Sequence, residues 1–256
     1  MLSIHKAELT SSTAAPIILI YGIGGIGKTS LAGEFEDVIY LPTGGERPPG
    51  KMALASPGTL RSYDDVYDVM SQLRREAHPY KWLILDSVDG LEPLIWEETC
   101  RLNNWNSIEQ PGFGKGYLAA DAVWNEFFDW LADLQRDGMG VILIGHSKIV
   151  RFDSPTTEPY NRYTIKLQER ANNLLREKVD IVAFMQYRVS IREKEVKRNV
   201  TVSHAEGGKT REIGLNTSAS YDAKNRYDMP DTIVYKKGHG FNELSKYFPR
   251  AIGVPK

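Results

Sequence analysis

Eight residues near the amino terminus have the types and the spacing that phosphate binding requires. The segment Gly22–Thr29 reads Gly-Ile-Gly-Gly-Ile-Gly-Lys-Thr and fits the pattern G-x-x-x-x-G-K-[ST] at every constrained position. Glycines let the backbone N–H groups of such a loop turn toward phosphate oxygens, and the dipole of a following helix adds favourable potential there. We therefore expect the phosphate-binding residues to be Gly22, Gly24, Gly25, Gly27, Lys28, Thr29 and Ser30.

The last two residues of this pattern have separate chemical roles. We expect Lys28 to reach the β- and γ-phosphates of a nucleoside triphosphate and the Thr29 hydroxyl to ligate Mg²⁺. The apolar run 17–21 predicts a buried strand in front of the loop, and residues 29–35 can open a helix behind it. A glycine-rich turn that binds nothing is the alternative, and the preceding strand counts against it. The sequence thus predicts that a nucleoside triphosphate and Mg²⁺ bind at this loop.

An acid that follows another apolar run is the candidate second ligand for the metal. Asp86 ends the run 82–85, and a carboxylate at that end of a neighbouring strand can hold Mg²⁺ directly or through water. The next residue, Ser87, could support the water shell of the ion or could cap a helix. The predicted metal ligands are therefore Thr29 and Asp86.

Two further side chains are candidates for the chemistry at the terminal phosphate. His146 follows the apolar run 141–145, where it could sense that phosphate or could simply be hydrogen-bonded in a turn. Glu46 follows the predicted strand 37–41 and is the best-placed acid to orient or deprotonate water. The predicted catalytic residues are thus Lys28, Glu46, Asp86 and His146.

The composition is that of an ordinary soluble globular protein. Hydrophobic residues make up 41% and charged residues 25% of the 256 residues, which is close to the usual balance. No apolar run approaches the length of a membrane span, and residues 1–6 lack the apolar segment of a signal peptide. The only cysteine, Cys100, excludes an intramolecular disulfide and a CxxC metal site. We expect a cytoplasmic protein without a membrane partner.

The net charge of -1 conceals an uneven distribution of charge along the chain. Residues 1–147 contain 11 Lys/Arg and 20 Asp/Glu, whereas residues 148–256 contain 21 and 13. A basic second half indicates either an anionic partner or an acidic neighbouring subunit. The charges alone leave both interpretations open.

The elements that must position these residues alternate between strands and helices. This alternation predicts right-handed crossovers and a parallel sheet. The predicted strands are 17–21, 37–41, 82–86 and 141–145, and the predicted helices are 63–78, 91–102, 117–136 and 168–178.

The pattern changes after the last of these helices. Residues 179–191, 199–203 and 210–215 read as strands, with a hairpin turn predicted at 206–209. We therefore expect a single α/β domain over residues 1–256, with a mainly parallel central sheet flanked by helices. An antiparallel extension is expected over 180–235, and residues 1–15 are expected to be flexible.

The motifs resemble a known class of enzymes. Gly22–Thr29, Leu83–Ser87 and Ile144–Lys148 are together similar to the RecA-type P-loop ATPase core, and more closely to phage-encoded RecA-like proteins associated with single-strand annealing and recombination. Thr-Gly-Gly-Glu at 43–46 and Ala-Lys-Asn-Arg-Tyr at 223–227 support the resemblance, which spans roughly residues 15–235. It implies a RecA-like fold, ATP and Mg²⁺ binding, homo-oligomerisation and action on single-stranded DNA, in the host cytoplasm if the protein is phage-encoded.

One feature departs from that class. RecA-like proteins usually carry the catalytic glutamate close behind the second strand, whereas here Pro42 and two glycines precede Glu46. Fast hydrolysis is therefore not a secure expectation.

By position, two segments correspond to the DNA-binding loops of the RecA-like fold. They are 103–116, which contains Trp105 and Lys115, and 148–166, in which cations alternate with aromatic residues. Such a mixture suits single strands, because phosphates meet the charges while bases stack on the rings; an ordinary surface loop with buried tyrosines is the alternative. The expected DNA-binding residues are Lys148, Arg151, Arg162 and Lys166. Lys148, Arg151 or Arg226 could act on a neighbouring subunit's nucleotide. Lys148 and Arg151 could instead be solvated or contact nucleic acid, and Arg226 could contact adenine or a subunit boundary.

Three functions are compatible with these observations. The leading one is an ATP-hydrolysing oligomer that acts on single-stranded DNA in recombination, annealing or replication. The second is an ATP switch without appreciable hydrolysis, which scaffolds or loads an annealing or replication protein. A small-molecule kinase is the third, and the absence of an Arg-rich helical lid in the sequence counts against it.

Overall fold

The computed structural model describes residues 14–154, 158–197 and 200–249, and it describes side chains outside 189–207. The predicted flexible segment 1–15 therefore lies almost wholly outside the described residues. The helices and strands are β1 Ile17–Gly22, α1 Lys28–Ala32, β2 Val38–Pro42, α2 Tyr63–Arg75, β3 Trp82–Asp86, α3 Val88–Asn103, α4 Lys115–Arg136, β4 Gly140–Phe152, β5 Tyr160–Ile165, α5 Glu169–Lys178, β6 Ile181–Lys197, β7 Val200–Gly214, β8 Thr232–Tyr235 and α6 Gly240–Ser245.

One sheet forms the centre of the molecule. Five parallel strands lie in the order β2-β3-β4-β1-β6, and β7 and β8 continue the sheet as antiparallel strands. The distal part of β4 pairs with β5, which is also antiparallel. This arrangement confirms the predicted fold class, an α/β fold with a mainly parallel central sheet and an antiparallel extension.

Helices cover both faces of the sheet, which explains why β1 is apolar at nearly every position. Leu19 and Tyr21 pack into a core with α2, α3, α4 and α5, whereas Ile18 and Ile20 pack into a second core with α1 and α6. A strand buried on both faces needs a continuous apolar run rather than an alternating pattern. The run 17–21 therefore identified the central strand correctly.

The segment 148–166, predicted as a loop, is instead the greater part of a β-hairpin. β4 continues past the edge of the parallel sheet to Phe152 and pairs with β5 in a register that runs from Ser147↔Ile165 to Phe152↔Tyr160. The β-branched and aromatic residues that alternate with its cations favour extended backbone. The loop interpretation was wrong because it took the aromatic residues as stacking partners for bases and not as residues that favour a strand.

The hairpin turn predicted at 206–209 was also misplaced. These residues lie inside β7, which runs without interruption from Val200 to Gly214. The register with β6 shifts between Tyr187↔Arg211 and Val189↔Gly207, so β7 has extra residues at this point. The two glycines thus accommodate a bulge within a long hairpin rather than a turn.

Several other boundaries differ modestly from the expectations. β6 is parallel to β1 from Ile18↔Ile181 to Gly22↔Met185, so the antiparallel extension begins only with β7. Helix α3 begins at Val88, and the predicted loop 103–116 is shortened to 104–114 because α3 and α4 occupy its ends. In the described part of the chain, no helix combines the length and the apolarity needed to cross a membrane.

A buried carboxylate joins two of these helices. Glu92 of α3 is 7% exposed, and its Oε1 accepts a hydrogen bond from the backbone N–H of Gln168, the residue that caps α5, at 2.8 Å. Burial raises the pKa of Glu92 to about 7, although Lys148 and the Gln168 N–H act in the opposite direction. The protonated form of Glu92 is therefore the one that the fold prefers.

This preference predicts that the protein loses stability as the pH rises from the ordinary pKa of Glu92, 4.5, to the raised value of about 7. The loss is about 3 kcal/mol, because each pKa unit corresponds to about 1.36 kcal/mol. Glu92→Gln should abolish this part of the pH dependence and should be more stable than the native protein at pH 8. Urea unfolding across this pH range, with the exposed Glu97→Gln on the same helix as control, measures the effect. Identical pH dependence in both variants would contradict it.

Candidate functional site

The carboxyl ends of four parallel strands bring the predicted site residues together. β1 leads into the phosphate loop, β2 into Thr43 and Glu46, β3 ends at Asp86, and β4 contains His146. Because parallel strands of an open sheet present their carboxyl ends at one edge, residues far apart in sequence meet there. The register pairs Gly22 directly with His146.

The phosphate loop is held in a conformation that depends on glycine. Gly27 precedes α1 with φ of 111°, in the region that side chains other than glycine rarely adopt. Lys28 is buried, and its Nζ donates to the carbonyl oxygens of Gly22 at 3.2 Å and Ile23 at 3.1 Å. Burial lowers the pKa of Lys28, while nearby carboxylates, Asp86 first among them, oppose the shift. The Lys28 side chain is thus folded back against the phosphate loop.

The two predicted metal ligands are in direct contact. Thr29 Oγ1 donates to Asp86 Oδ2 at 2.7 Å, and the hydroxyl of Tyr40 donates to the same oxygen at 3.1 Å. Burial raises the pKa of Asp86 despite these donors, so a cation would relieve the cost of its buried charge. Hard oxygen donors of this kind fit Mg²⁺ with phosphate oxygens as further ligands. Within the described ranges, no group of three or more His, Cys, Asp or Glu side chains could hold a metal ion, so Mg²⁺ would need the phosphate oxygens as ligands.

The backbone after Asp86 is fixed by a buried threonine. The Asp86–Ser87 peptide bond is cis. The Thr43 hydroxyl donates a hydrogen bond to the carbonyl oxygen of Ser87 at 2.6 Å and accepts one from the backbone N–H of Ser87 at 2.9 Å. The Ser87 hydroxyl accepts from Gly90 N at 3.2 Å, so Ser87 caps α3. The capping interpretation of Ser87 is therefore confirmed.

His146 is oriented by Asp89, an acid that the sequence motifs do not include. Its backbone N–H donates to Asp89 Oδ1 at 3.0 Å, and its ring Nδ1 lies 3.0 Å from Asp89 Oδ2. An ionised carboxylate can only accept, so Nδ1 carries a proton and Nε2 faces away from Asp89. The hydrogen bond with Asp89 raises the pKa of His146. Burial alone would raise the pKa of Asp89, but the hydrogen bonds from His146 outweigh it and lower that pKa.

Glu46 lies on the other side of this imidazole. Its Oε1 is 3.9 Å from His146 Nε2, and burial followed by the charge of Asp86 raises the pKa of Glu46. A cavity of about 280 Å³ contains Glu46, Arg47 and His146 with the phosphate loop, and a groove of about 910 Å³ shares the same three residues. The structure thus brings Lys28, Thr29, Glu46, Asp86 and His146 into one cleft.

The predicted DNA-binding cations have different environments. Arg162 is 3.2 Å from Asp222 and lies over the Phe152 ring, and the Nζ of Lys148 donates to the carbonyl of Leu167. Two others remain accessible. The exposed Arg151 pairs with an equally exposed Asp153, and Lys166 lines the groove beside Glu46 and His146.

The motif 223–227 supports the sheet at the edge opposite the phosphate loop. Lys224 Nζ donates to the carbonyls of Arg176 and Val179 at the end of α5, and Arg226 lies 3.3 Å from Asp180. Cations at a helix carboxyl terminus satisfy its free carbonyls. Arg226 is therefore engaged within its own chain, and these contacts explain the motif without a nucleotide.

Four other residues around the cleft were not predicted from the sequence. Asp89 could have been found, because it falls in the first helical turn after the predicted metal ligand Asp86. The remaining three, Tyr40, Arg211 and Lys237, have no local signal and reach the cleft only through the sheet order.

Replacement of Asp89 tests the orientation of His146. In Asp89→Asn the pKa of His146 should fall, because the charged hydrogen bond that raises it is lost. The same pair should stabilise the native fold below the ordinary pKa of His146, and this contribution should disappear as the pH rises through the raised value. NMR titration of the ring protons measures the shift. Asp68→Asn, an exposed acid on α2, is the control; an unmoved His146 titration in Asp89→Asn would refute the assignment.

Comparison with known proteins identifies a family. The AAA_24 family, described as an AAA domain, matches residues 14–227. No curated protein matches the sequence. Among solved structures, the flagellar accessory protein FlaH from Methanocaldococcus jannaschii is 10% identical with a TM-score of 0.41, over 88% of this chain and 86% of FlaH. That likeness is too distant to bear on function.

Proposed function

This chain belongs to the AAA_24 family of AAA domains, which are ATP-binding P-loop proteins, and we propose that it hydrolyses ATP with Mg²⁺ and couples hydrolysis to single-stranded DNA. The observation that supports hydrolysis is the cluster Glu46–His146–Asp89 beside the phosphate loop. Glu46 would orient or deprotonate the attacking water, and Asp89 would hold the His146 ring in position to sense the terminal phosphate. Thr29 and Asp86 would hold Mg²⁺, which supplies charge stabilisation at the phosphates.

The proposed link to DNA rests on the position of His146 in β4. The next residue, Ser147, forms the first pair of the β4–β5 hairpin, and Lys166 N donates to His146 O at 2.8 Å at the base of the same hairpin. A change at the terminal phosphate that moves His146 therefore acts on the root of this hairpin. Arg151 and Lys166 are its accessible cations, and they would contact phosphates of the strand.

We place this activity in recombination, annealing or replication of the phage type, in a homo-oligomer that cooperates with an annealing or replication protein. The motifs of the phosphate loop and of strand β4 support this narrower assignment only by resemblance. Light scattering with ATP, with ADP and with an oligonucleotide tests assembly, which should depend on the nucleotide.

The experiment that tests the coupling is ATP turnover with and without single-stranded DNA, together with strand affinity as a function of salt. DNA should raise the turnover rate of the native protein. Arg151→Ala/Lys166→Ala should reduce the salt slope of binding by about 0.7 for each lost phosphate contact. Lys81→Ala/Arg136→Ala removes the same charge at the opposite edge of the sheet and should leave the slope unchanged. If DNA alters neither turnover nor assembly, the proposal fails.

A second candidate function is an ATP switch without appreciable turnover. It is favoured by the 3.9 Å separation of Glu46 from His146, which is longer than a hydrogen bond, and by the two glycines of left-handed conformation, Gly44 and Gly45, that precede Glu46. Single-turnover measurements distinguish the two functions. Tight ATP binding without phosphate release, accompanied by partner docking, would favour the switch.

A further inference from the structure

Two cations from the carboxyl-terminal part of the chain lie in the same cavity as the phosphate loop. Arg211 of β7 and Lys237, in the turn after β8, line the cavity of about 280 Å³ together with Gly27 and Thr29. We propose that Arg211 and Lys237 bind the polyphosphate of the nucleotide in cis and complete the site that the phosphate loop begins. This inference rests on the ATP binding proposed for Gly22–Thr29.

The guanidinium of Arg211 lies directly against the loop. Its Nη1 is 3.0 Å from the position that a Cβ on Gly27 would occupy. The guanidinium can lie this close to the loop because Gly27 has no side chain. No ion pair involves Arg211 among the described residues, whereas the neighbouring Glu212 pairs with Arg188 at 2.6 Å. A cation held at a phosphate loop without a carboxylate partner is suited to an anionic ligand.

Two tyrosines flank Arg211 in the sheet, and an acid anchors one of them. In the sheet register Arg211 lies between Tyr187 on β6 and Tyr235 on β8, and its Cζ is 6.0 Å from the Tyr235 ring centroid. The Tyr235 hydroxyl donates to Glu34 Oε1 at 2.7 Å. Because Glu34 follows α1 directly, the arginine is tied to the helix that opens behind the phosphate loop.

The same acid fixes the turn that contains Lys237. Glu34 accepts hydrogen bonds from the backbone N–H groups of Gly238 and Gly240, each at 2.6 Å. Gly238 has φ of 85°, which the turn requires. Glu34 thus docks the turn onto α1 and holds Lys237 at the cavity, while the adjacent Lys236 lines a different cavity with Pro230 and Tyr247.

A nucleotide bound in this way would join two parts of the chain. Lys28 and the loop backbone would hold one side of its polyphosphate, and Arg211 and Lys237 the other. The carboxyl-terminal strands β7 and β8 would then respond to the nucleotide, together with the long β6–β7 hairpin to which Arg211 belongs.

The test is ATP affinity, measured with a fluorescent ATP analogue, combined with hydrogen exchange. Arg211→Ala and Lys237→Ala should each weaken binding about 10-fold or more, because each removes a charged hydrogen bond to phosphate. Inorganic tripolyphosphate should compete less well in both variants. In the native protein ATP should slow exchange over residues 208–214 and 232–240, and this protection should be lost in Arg211→Ala/Lys237→Ala.

Lys236→Ala and Arg188→Ala are the matched controls, since they remove the neighbouring cations that do not line the cavity. Affinity within about 2-fold of the native value in both Arg211→Ala and Lys237→Ala, while Lys28→Ala has lost ATP, would overturn the inference and leave the ATP site intact. Normal ATP binding by Lys28→Ala would overturn both. If Arg211→Ala does not fold, Arg211→Gln and Lys237→Ala decide by the same criterion.

Discussion

Lys28→Ala is expected to lower ATP affinity about 100-fold or more, because Lys28 would make more than one charged hydrogen bond to phosphate and each contributes about 1.5–3 kcal/mol. The same substitution should not weaken the fold. Lys28 is 6% exposed, and its ammonium is bonded to two loop carbonyls only. Burial disfavours the charged form of Lys28 and lowers its pKa. Removal of the ammonium relieves this desolvation cost but leaves the carbonyls of Gly22 and Ile23 without their donor, so the free energy of unfolding should change little.

Isothermal titration with ATP and urea unfolding of the same samples measure both effects. Lys178→Ala, which removes an exposed lysine at the end of α5, is the control and should change neither quantity. ATP affinity close to the native value in Lys28→Ala would refute the assignment of Gly22–Thr29 as the nucleotide site. A strong loss of stability would instead show that Lys28 has a structural role.

Glu46→Gln is expected to abolish most ATP hydrolysis while ATP binding persists. A positioned general base contributes about 10²- to 10⁴-fold, and glutamine cannot accept the proton of the attacking water. Glu46 is the carboxylate that shares the cleft with the phosphate loop and faces the free side of His146. Asp86, the other acid in that cavity, is already bonded to Thr29 and Tyr40.

Single-turnover hydrolysis separates this outcome from the switch function. The rate at which bound ATP is hydrolysed should fall strongly in Glu46→Gln. It should stay unchanged in Glu36→Gln, which replaces an exposed glutamate beside the amino end of β2. Equal turnover in the native protein and Glu46→Gln would remove Glu46 from the chemistry. If the native protein itself does not turn over, the switch is the better description.

The nucleotide half of the site was readable from the sequence because its parts are local. The phosphate loop needs its glycines, Lys28 and Thr29 at fixed spacing, since backbone N–H groups and two adjacent side chains do the binding. Asp86 and His146 were expected beside this loop for a related reason, and both line the same cavity. Each follows an apolar run, and parallel strands must bring their carboxyl ends to one edge of the sheet.

The rest was decided by the tertiary structure. The hairpin at 148–166 and the bulge at Gly207 depend on pairing partners, and local charge or glycine content does not reveal which strand will pair. Asp89 became significant only when α3 placed it against His146. Arg211 and Lys237 lie more than 180 residues after Lys28 in the chain, and only the sheet order β1-β6-β7-β8 brings them to the phosphate loop. Short-range spacing thus determined what this protein binds, while long-range pairing decided which other side chains surround it.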